Sequence, residues 1–334
     1  MKKLRVAQIG CSESTHARQI FSSLMRQTDL FEVVAIADVD HHRAERDERF
    51  NAVPLRSAEE ILNDTTLDAV FIECDEVLAT RYAIAAAERG FPIFMDKPGS
   101  PSDGDFDHLI DLIEEKRLPF AIGYMYRTNP AVLQLLEEIK SGKLGEIYSV
   151  EAQMSCLQKD FRREFFKTLP GGMLYYLGCH LIDLIYQIQG EPDEVLPLSC
   201  SIAPEKGFGE DFGMTVFQYP KGVSFARTCG AEVGGFTRRQ LVVHGTKGSF
   251  EINPLEILAE NDFVSCKIRR CYADDPENHG WNYDGIREEF PAFNRYDATT
   301  ANFAAYLRGE KQNPYTPDYE RILHKLILKA CGVK

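Results

Sequence analysis

Short apolar runs alternate with helix-like stretches through the first 122 residues of the chain. The runs that predict strands are 5–9, 32–37, 68–72, 92–95 and 119–122, and the stretches that predict helices are 15–27, a short segment from Ser57, 80–89 and 106–116. Strands that are apolar throughout are buried on both faces, as in a parallel sheet covered by helices. The pattern therefore predicts an α/β domain at 1–122, built on a doubly wound parallel sheet.

Beyond residue 122 the segments become longer, and apolar and polar positions alternate within them. The alternation predicts strands at 146–154, 213–219, 223–228, 239–243 and 249–252, and helical spacing predicts helices at 131–141, 173–189, 299–308 and 317–330. Tight turns such as 220–222 join strands into hairpins, which form antiparallel sheets. We expect an α+β domain at 123–334 with a largely antiparallel open sheet. We also expect this sheet to pair with another subunit in a homodimer or homotetramer.

Composition narrows the class of protein. The 334 residues carry a formal net charge of −13, which argues against a nucleic-acid partner because such proteins need a basic face. Nine cysteines are scattered without a CxxC pair, so we expect reduced thiols in a cytoplasmic protein and no metal site. Since no apolar run approaches the roughly 18 residues that span a bilayer, we expect no membrane partner.

A glycine follows the first predicted strand, where dinucleotide-binding folds carry the motif G-x-G-x-x-G/A. Gly10 matches the first position, whereas Ser12 and Thr15 replace the second and third glycines, and Cys11 lies between. A backbone that approaches a pyrophosphate here, at the N-terminus of a helix, stabilises its charge. The loop therefore predicts a dinucleotide site. The alternative that these residues leave open is an α/β domain that binds an unrelated ligand.

The end of the second predicted strand carries an acid that selects the cofactor. Asp38 can accept a hydrogen bond from a ribose 2′-hydroxyl and repels a 2′-phosphate, so it favours NAD over NADP. His42 and Arg43 nearby weaken that preference. NAD is therefore the predicted cofactor, and NADP is less favoured.

Lys97 is the first candidate for proton transfer. It follows the apolar run 92–95 and Asp96, and it precedes Pro98, which keeps Lys97 out of the helical region. That order places Lys97 at the carboxyl edge of the sheet, where open α/β folds bind their ligands. A desolvated lysine exchanges its proton readily. The alternative is a solvated lysine at the end of a strand.

Three polar residues share one stripe of the helix predicted at 173–189. Tyr176, His180 and Asp183 are spaced i, i+4 and i+7. A phenol, an imidazole and a carboxylate on one face can form a proton relay in which the carboxylate sets the imidazole tautomer. The alternative is an amphipathic helix whose histidine is satisfied by its neighbours.

Taken together, these segments resemble the glucose–fructose oxidoreductase, inositol dehydrogenase and rhizopine-catabolism (Gfo/Idh/MocA) family over nearly the whole chain. The matching segments are 6–10, Asp38, Asp-Lys-Pro at 96–98, 123–130, 142–147, Gly-x-His-x-x-Asp at 178–183 and 245–248. The resemblance implies a Rossmann domain that binds NAD(P), and hydride transfer to or from a secondary alcohol of a sugar, sugar acid or cyclitol. It also implies that Lys97 and His180 handle the substrate hydroxyl and its proton, with Gly10, Ser12 and Asp38 at the cofactor.

The remaining candidates complete the predicted site. Residues expected at the cofactor, besides those already named, are Cys11, Thr15, Cys74, Asp75, Asp96 and Lys97 itself. The expected substrate contacts are Tyr124, Arg127, Arg162 and Asp183. For Arg162 and its neighbour Arg163, the alternative is a pair of exposed loop charges.

Two departures from the family pattern bear on the chemistry. Tyr176 stands where the family usually has an aspartate, and a phenol supplies no fixed negative charge. Cys74, Asp75 and Glu76 replace the usual Thr-Pro-Asn, directly after Glu73. Acids at this turn would repel a pyrophosphate unless they turn outward. Either the cofactor lies differently here or the site has been reused.

We therefore expect an NAD(P)-dependent dehydrogenase in which Lys97 and His180, from the two domains, hold the reacting hydroxyl and Tyr176 orients or relays. Two other functions stay open. One is a regulatory protein that binds nucleotide and sugar without catalysis, and the other is a lyase or glycosidase that retains its NAD. Net formation of NADH with polyols distinguishes the dehydrogenase from both.

Overall fold

The structure is a computed structural model that describes residues 2–13, 15–40, 47–260 and 262–333. It divides the chain into two compact units, Met1–Met125 with Tyr296–Lys325 and Tyr126–Arg295 with Leu326–Lys334. The first junction lies close to the boundary expected from the sequence. The segment Tyr296–Lys325, however, belongs to the first unit, whereas the sequence analysis assigned it to the second domain.

The described residues of the first unit form a parallel sheet. Its strands are β1 (Leu4–Ile9), β2 (Phe31–Ala37), β3 (Ala69–Ile72), β4 (Ile93–Met95) and β5 (Phe120–Ile122). They lie in the order β2-β1-β3-β4-β5, which confirms the predicted doubly wound sheet. The order changes direction between β1 and β3, so the carboxyl ends of these strands form the switch point at which such sheets bind ligands.

Helices of the first unit follow its strands. They are α1 (Ala17–Arg26), α2 (Ala58–Leu62), α3 (Glu76–Glu88) and α4 (Asp103–Lys116). The capping box at Ser57 is present, because Glu60 N–H donates to Ser57 Oγ (3.1 Å) and Ser57 N–H donates to the Glu60 carboxylate (2.8 Å). The helix predicted at 80–89 begins earlier, at Glu76. A carboxylate is favourable in the first turn of a helix, which the sequence analysis did not weigh.

The second unit carries helices α5 (Pro130–Lys140), α6 (Asp160–Phe165) and α7 (Cys179–Gln189). Asn129 caps α5, and its Oδ1 accepts a hydrogen bond from Ala131 N–H (2.9 Å). Helix α6 was not predicted, because six residues are too few to show a helical period. The helix predicted at 173–189 is divided, since a π-helical turn, Leu174–Gly178, precedes α7.

The sheet of the second unit is larger and mixed. Its described strands are β6 (Ile147–Ser155), β7 (Glu194–Cys200), β8 (Phe212–Tyr219), β9 (Gly222–Cys229), β10 (Gln240–Gly245), β11 (Gly248–Ile252), β12 (Ile257–Leu258), β13 (Phe263–Tyr272) and β14 (Ile286–Asn294). They follow the order β12-β13-β11-β10-β6-β9-β8-β7, with β14 beside β13. The β6–β9 pair is parallel and the other described pairs are antiparallel, which confirms the largely antiparallel sheet.

The sequence analysis missed β7 and β12–β14. Two of these strands, β7 and β14, lie at edges of the sheet. Both carry exposed residues on both faces, so apolar and polar positions do not alternate clearly along them. Pro197 within β7 is also typical of an edge strand and weakens a strand prediction. Exposure on both faces accounts for the missed edge strands, but it does not account for β13, an inner strand whose burial alternates.

The chain ends in α8 (Asp297–Leu307) and α9 (Pro317–Ala330). Phe303 of α8 packs edge-on against Phe71 and Phe94, with ring centroids 5.5 and 5.6 Å apart. Ser23 Oγ donates to the Asp297 carboxylate (2.6 Å). Helix α8 thus returns to cover the first sheet, and this accounts for the assignment of 296–325 to the first unit. Within the described ranges, no helix combines the length and the apolar character that a bilayer crossing requires.

Candidate active site

The loop after β1 is bound tightly to the ends of the neighbouring strands. Gly10 has φ +113°, and a Cβ at this position would lie 2.3 Å from the backbone nitrogen of Cys74. Only glycine fits this turn. Gly10 N–H donates to the Ala37 carbonyl (2.8 Å), and Thr15 Oγ1 donates to the Glu73 carbonyl (2.9 Å). The first position of the predicted motif is therefore required by close packing at the switch point.

Asp40 places a carboxylate against this loop. Its two carboxylate oxygens accept hydrogen bonds from the N–H groups of Cys11 and Asp75, each at 2.8 Å. Burial raises the pKa of Asp40 to about 6, although these hydrogen bonds act in the opposite direction. Asp40 was not among the predicted site residues. The signal that could have found it is an acid placed two residues after Asp38, at the carboxyl end of β2.

The acidic turn after β3 points into the protein, which answers the question that the sequence left open. Glu73, Asp75 and Glu76 are all buried. Asp75 accepts a short hydrogen bond from Ser12 Oγ. Burial raises the pKa of Glu73 well above its ordinary value, and the charge of Asp96 adds to the effect. Burial also raises the pKa of Glu76. A raised pKa means that Glu73 and Glu76 ionise less readily than exposed carboxyl groups, so burial opposes the build-up of negative charge at this edge of the sheet.

Lys97 lies at the carboxyl end of β4, as predicted. Its side chain is 2% exposed, so the alternative of a solvated lysine is wrong, and Lys97 Nζ lies 3.4 Å from Glu76 Oε1. On the preceding residue, the Asp96 carboxylate is 2.8 Å from His16 Nδ1. Burial alone would raise the pKa of Asp96, but the charges of His16 and Lys97 hold it below its ordinary value. The sequence analysis missed His16, which directly precedes α1.

In the second unit, Tyr176 lies in the π-helical turn, and His180 and Asp183 lie on α7. All three are buried. The Asp183 carboxylate accepts hydrogen bonds from Arg127 Nε and Nη2 at 2.8–3.2 Å and from Gln187 Nε2 at 2.8 Å. The structure therefore joins two residues that the sequence analysis expected to contact substrate, Arg127 and Asp183, in a buried ion pair.

A second buried network lies beside His180. The ring of Tyr126 packs edge-on against the imidazole of His180, with centroids 5.5 Å apart. Burial and then the charge of Glu256 raise the pKa of Tyr126. Burial favours a raised pKa for Glu256 too, but the guanidinium groups of Arg295 (2.5 Å) and Arg239 (2.9 Å) hold it low. The sequence analysis missed this network, because its members are far apart along the chain.

Arg162 and Arg163 lie side by side in α6 and are both buried, so the alternative of exposed loop charges is wrong. Arg163 binds the Asp211 carboxylate through Nη2 (2.5 Å) and Nε (2.7 Å). Arg162 is 4% exposed, and its guanidinium carbon lies 5.5 Å from the ring centre of Tyr176. Across the residues that the structure describes, the Arg162 side chain has no hydrogen bond or ion pair, and its Nη1 is fully buried.

Both units match known protein families. Residues 4–124 match the oxidoreductase family with an NAD-binding Rossmann fold, and residues 132–251 match the GFO/IDH/MocA C-terminal domain. Fold and family match together place the chain in an oxidoreductase family with an NAD(P)-binding Rossmann fold. The chain belongs to the Gfo/Idh/MocA family, as the sequence analysis inferred.

Individual relatives are distant. The uncharacterized oxidoreductase YhhX of Escherichia coli is 29% identical over 196 residues, and D-xylose 1-dehydrogenase (NADP(+)) 2 of Haloferax volcanii is 28% identical over 203 residues. These matches cover 58% and 59% of this chain but only 54% and 61% of the relatives. The chain thus spans little more than half the length of the curated relatives it matches.

Among solved structures, KijD10, a 3-ketoreductase from Actinomadura kijaniata in complex with NADP and TDP-benzene, has the same fold. The TM-score is 0.79 at 18% identity, and the match covers 98% of this chain and 96% of that one.

The described residues fit a dinucleotide. NAD(P) needs backbone donors for its pyrophosphate, and the N–H groups of Cys11 and Asp75 already bind an anion, the carboxylate of Asp40. A phosphate at these donors would require Asp40 to move aside or to take up a proton, and its raised pKa would favour the proton. Asp38 lies half-buried after β2, where a ribose hydroxyl would lie. His42 and Arg43, which bear on the choice between NAD and NADP, lie outside the described residues.

Proposed function

We propose that this chain is an NAD(P)-dependent oxidoreductase that interconverts a secondary alcohol and a ketone on a sugar, sugar acid or cyclitol. The observation that carries the proposal is Lys97, a buried amine at the carboxyl end of a Rossmann strand, paired with Glu76. A proton-transfer group at this edge is what oxidation of an alcohol requires. The relatives named as D-xylose 1-dehydrogenase and as a 3-ketoreductase support the same class of substrate.

In this proposal Lys97 moves the proton of the reacting hydroxyl. Bound NAD(P) supplies the acceptor or donor of hydride. Lys97 Nζ takes the hydroxyl proton as the alcohol becomes a ketone and returns it in the reverse direction. Glu76, 3.4 Å away, stabilises the ammonium form and fixes the position of Nζ.

His180 and Tyr176 hold the substrate in the same proposal. The imidazole of His180 orients a substrate hydroxyl by hydrogen bonding, and the edge-on ring of Tyr126 fixes the plane of the imidazole. Asp183 is bound by Arg127 and Gln187, so we assign it to positioning α7 rather than to the substrate. Tyr176 supplies the orienting or relay group where the family usually has a carboxylate.

NAD remains the proposed cofactor because Asp38 disfavours a 2′-phosphate. The relatives do not decide the choice, since solved structures of the family are named with NADP and with NADH. Parallel titrations of the purified chain with NAD and NADP, followed by quenching of tyrosine and tryptophan fluorescence, test it. Tighter binding of NADP would contradict the assignment to Asp38.

The function is tested by incubating the purified chain with NAD or NADP and a panel of polyols, sugars and sugar acids. Net formation of reduced nicotinamide, followed by its absorbance, is the expected result. If the nucleotide binds and substrate bonds are cleaved or hydrated without net reduction, the chain is a lyase or hydratase that retains its cofactor. One curated relative, 24% identical over 211 residues, is named 2,7-anhydro-N-acetylneuraminate hydratase. If the chain binds sugar but turns over nothing, it is a sensor.

We also propose that the chain acts as a homodimer or homotetramer in the cytoplasm. The supporting feature is the wide sheet of the second unit. It exposes Leu196 and Leu198 on β7 and Val223 on β9, the two strands that flank β8. Light scattering coupled to gel filtration tests the oligomeric state. A monomer at micromolar concentration would contradict it.

A further inference from the structure

Arg162 is a cation that the described protein buries without neutralising. Its side chain is 4% exposed, and Nη1 is buried without a hydrogen-bond acceptor. The groups around the guanidinium are aromatic: its central carbon lies 5.4, 5.8 and 5.5 Å from the ring centres of Phe161, Phe165 and Tyr176. Aromatic faces attract a cation. They are weaker hydrogen-bond acceptors than oxygen for the five N–H groups of a guanidinium.

The neighbouring arginine shows how this fold satisfies a structural guanidinium. Arg163 is also buried, and it has both a carboxylate partner, Asp211 at 2.5 Å, and an aromatic face, Phe208 at 4.1 Å. Arg162 has only the aromatic faces among the residues that the structure describes. Arginine stays charged when it is buried, because a guanidinium does not give up its proton in proteins. An anion from outside the chain would supply the acceptor that Arg162 Nη1 lacks among the described residues.

The location of Arg162 indicates which anion this is. Tyr176, against which the guanidinium stacks, lies in the turn directly before the helix that carries His180. Tyr176 precedes His180 by about one helical turn, a rise of about 5.4 Å, so Arg162 lies beside the same stretch of chain that carries His180. The planar fork of a guanidinium matches two oxygens of a carboxylate or a phosphate.

We propose that Arg162 binds the anionic group of the substrate, and that the substrate is an acidic sugar carrying a carboxylate or a phosphate. This inference rests on the proposed function, whose substrate class it narrows. It removes neutral polyols and cyclitols from the panel. Tyr176 is the positioning residue of this subsite, because its ring centre lies 5.5 Å from the guanidinium carbon.

Calorimetric titration of the full chain with matched pairs of compounds tests the proposal without requiring turnover. The pairs are glucuronate and glucose, gluconate and glucitol, and glucose 6-phosphate and glucose, with sodium sulfate as a simple anion. We expect one acidic series to bind and its neutral partner to fail, and the arm that binds identifies carboxylate or phosphate. In Arg162→Met, we expect the affinity for the acidic sugar to fall about 10- to 100-fold, as for the loss of a charged hydrogen bond.

Folding is controlled in the same experiment. Methionine suits aromatic surroundings, so Arg162→Met is expected to unfold at the wild-type temperature or above. Arg162→Lys keeps the charge and loses the fork, and we expect it to bind the acidic sugar with intermediate affinity. If Arg162→Met does not fold, Arg162→Lys carries the test, and wild-type affinity in that variant overturns the bidentate assignment.

Other results overturn the proposal outright. These are equal affinity for an acidic sugar and its neutral partner, unchanged affinity in Arg162→Met, and sulfate binding as tight as that of the sugar acid. The proposed function fails separately. Arg162-dependent binding without any turnover keeps this inference and contradicts the dehydrogenase, whereas turnover of neutral sugars at equal rates by wild type and Arg162→Met does the reverse.

Discussion

The carboxyl edge of the first sheet and the surroundings of Arg162 in the second unit both bury charge, but they differ in how the charge can be relieved. At the sheet edge, buried carboxyl groups follow strands β2, β3 and β4: Asp40, Glu73, Asp75, Glu76 and Asp96. The amine of Lys97 lies 3.4 Å from the carboxylate of Glu76. Carboxyl groups can take up protons, and burial raises the pKa of Asp40, Glu73 and Glu76 accordingly. The guanidinium of Arg162 has no such option. The comparison teaches that buried acids can adjust within the protein, whereas a buried arginine needs a partner.

The largest effect is expected at Lys97. Lys97→Met removes the proposed proton carrier, and turnover should fall by about 10²- to 10⁴-fold with a smaller change in KM. Steady-state kinetics with the substrate found in the panel measures it. Lys2→Met is the control, since the Lys2 side chain is 80% exposed on the same unit. Full turnover in Lys97→Met would show that Lys97 and the buried carboxyl groups at this sheet edge stabilise the fold and do not take part in catalysis.

The paired and unpaired arginines of the second unit give the next effect. Arg127→Ala leaves the Asp183 carboxylate buried without its ion pair, which should lower the free energy of unfolding by about 3–5 kcal/mol. Arg162→Met removes no partner and should leave it nearly unchanged. Urea unfolding of the two variants measures both. Equal destabilisation of the two variants would mean that Arg162, like Arg127, contributes to the stability of the folded chain. Arg162 would then not differ from the paired arginines.

A smaller effect is expected from the pH dependence of stability. The Asp40 pKa is raised from 3.8 to about 6 in the folded chain, so between these values the unfolded state loses a proton that the folded state keeps. The free energy of unfolding therefore falls as pH rises from about 4 to about 6. Above about pH 6, both states have lost this proton and the free energy of unfolding falls no further on account of Asp40. A raise of this size corresponds to about 3 kcal/mol.

Asp40→Asn should lack this part of the slope. Unfolding curves at several pH values, compared between wild type and Asp40→Asn, measure the difference, and the exposed Asp29→Asn serves as control. Parallel slopes in wild type and Asp40→Asn would contradict the raised pKa.

The smallest effect concerns nucleotide affinity. Asp40→Asn removes the negative charge that lies on the N–H donors we assign to the pyrophosphate. The affinity for NAD should therefore rise by about tenfold at neutral pH. The reason is that the repulsion between two unit charges about 4 Å apart is about 1–4 kcal/mol near a surface. In wild type, affinity should rise as pH falls through about 6, and this dependence should be weaker in the variant. Fluorescence titration measures both. Weaker binding by Asp40→Asn would place the nucleotide elsewhere.

Local sequence patterns predicted the fold correctly where strands are buried on both faces of the sheet. The apolar runs of β1, β3 and β4, the Ser57 capping box and the Gly10 turn follow from neighbouring residues, and all are present. Helix α8 shows the limit, because its position depends on contacts of Phe303 with residues more than two hundred positions away.

The candidate site was predictable in its residues but less so in their partners. Lys97, His180 and Tyr176 could be chosen from motifs. The pairing of Arg127 with Asp183, of His16 with Asp96, and of Asp40 with the Gly10 loop could not, since each joins side chains that are distant in the chain. The burial of Arg162 was equally hidden, because a helix of six residues shows no period.

The π-helical turn at Leu174–Gly178 makes this part of the protein sensitive to length rather than to residue type. A helix advances about 100° per residue, so the deletion of one residue between Tyr176 and His180 would rotate Tyr176 by about a quarter-turn around the helix axis relative to His180. Natural variation of the segment should therefore favour replacements and avoid gaps. A library of one-residue deletions, scored for soluble expression and sugar binding, tests this expectation.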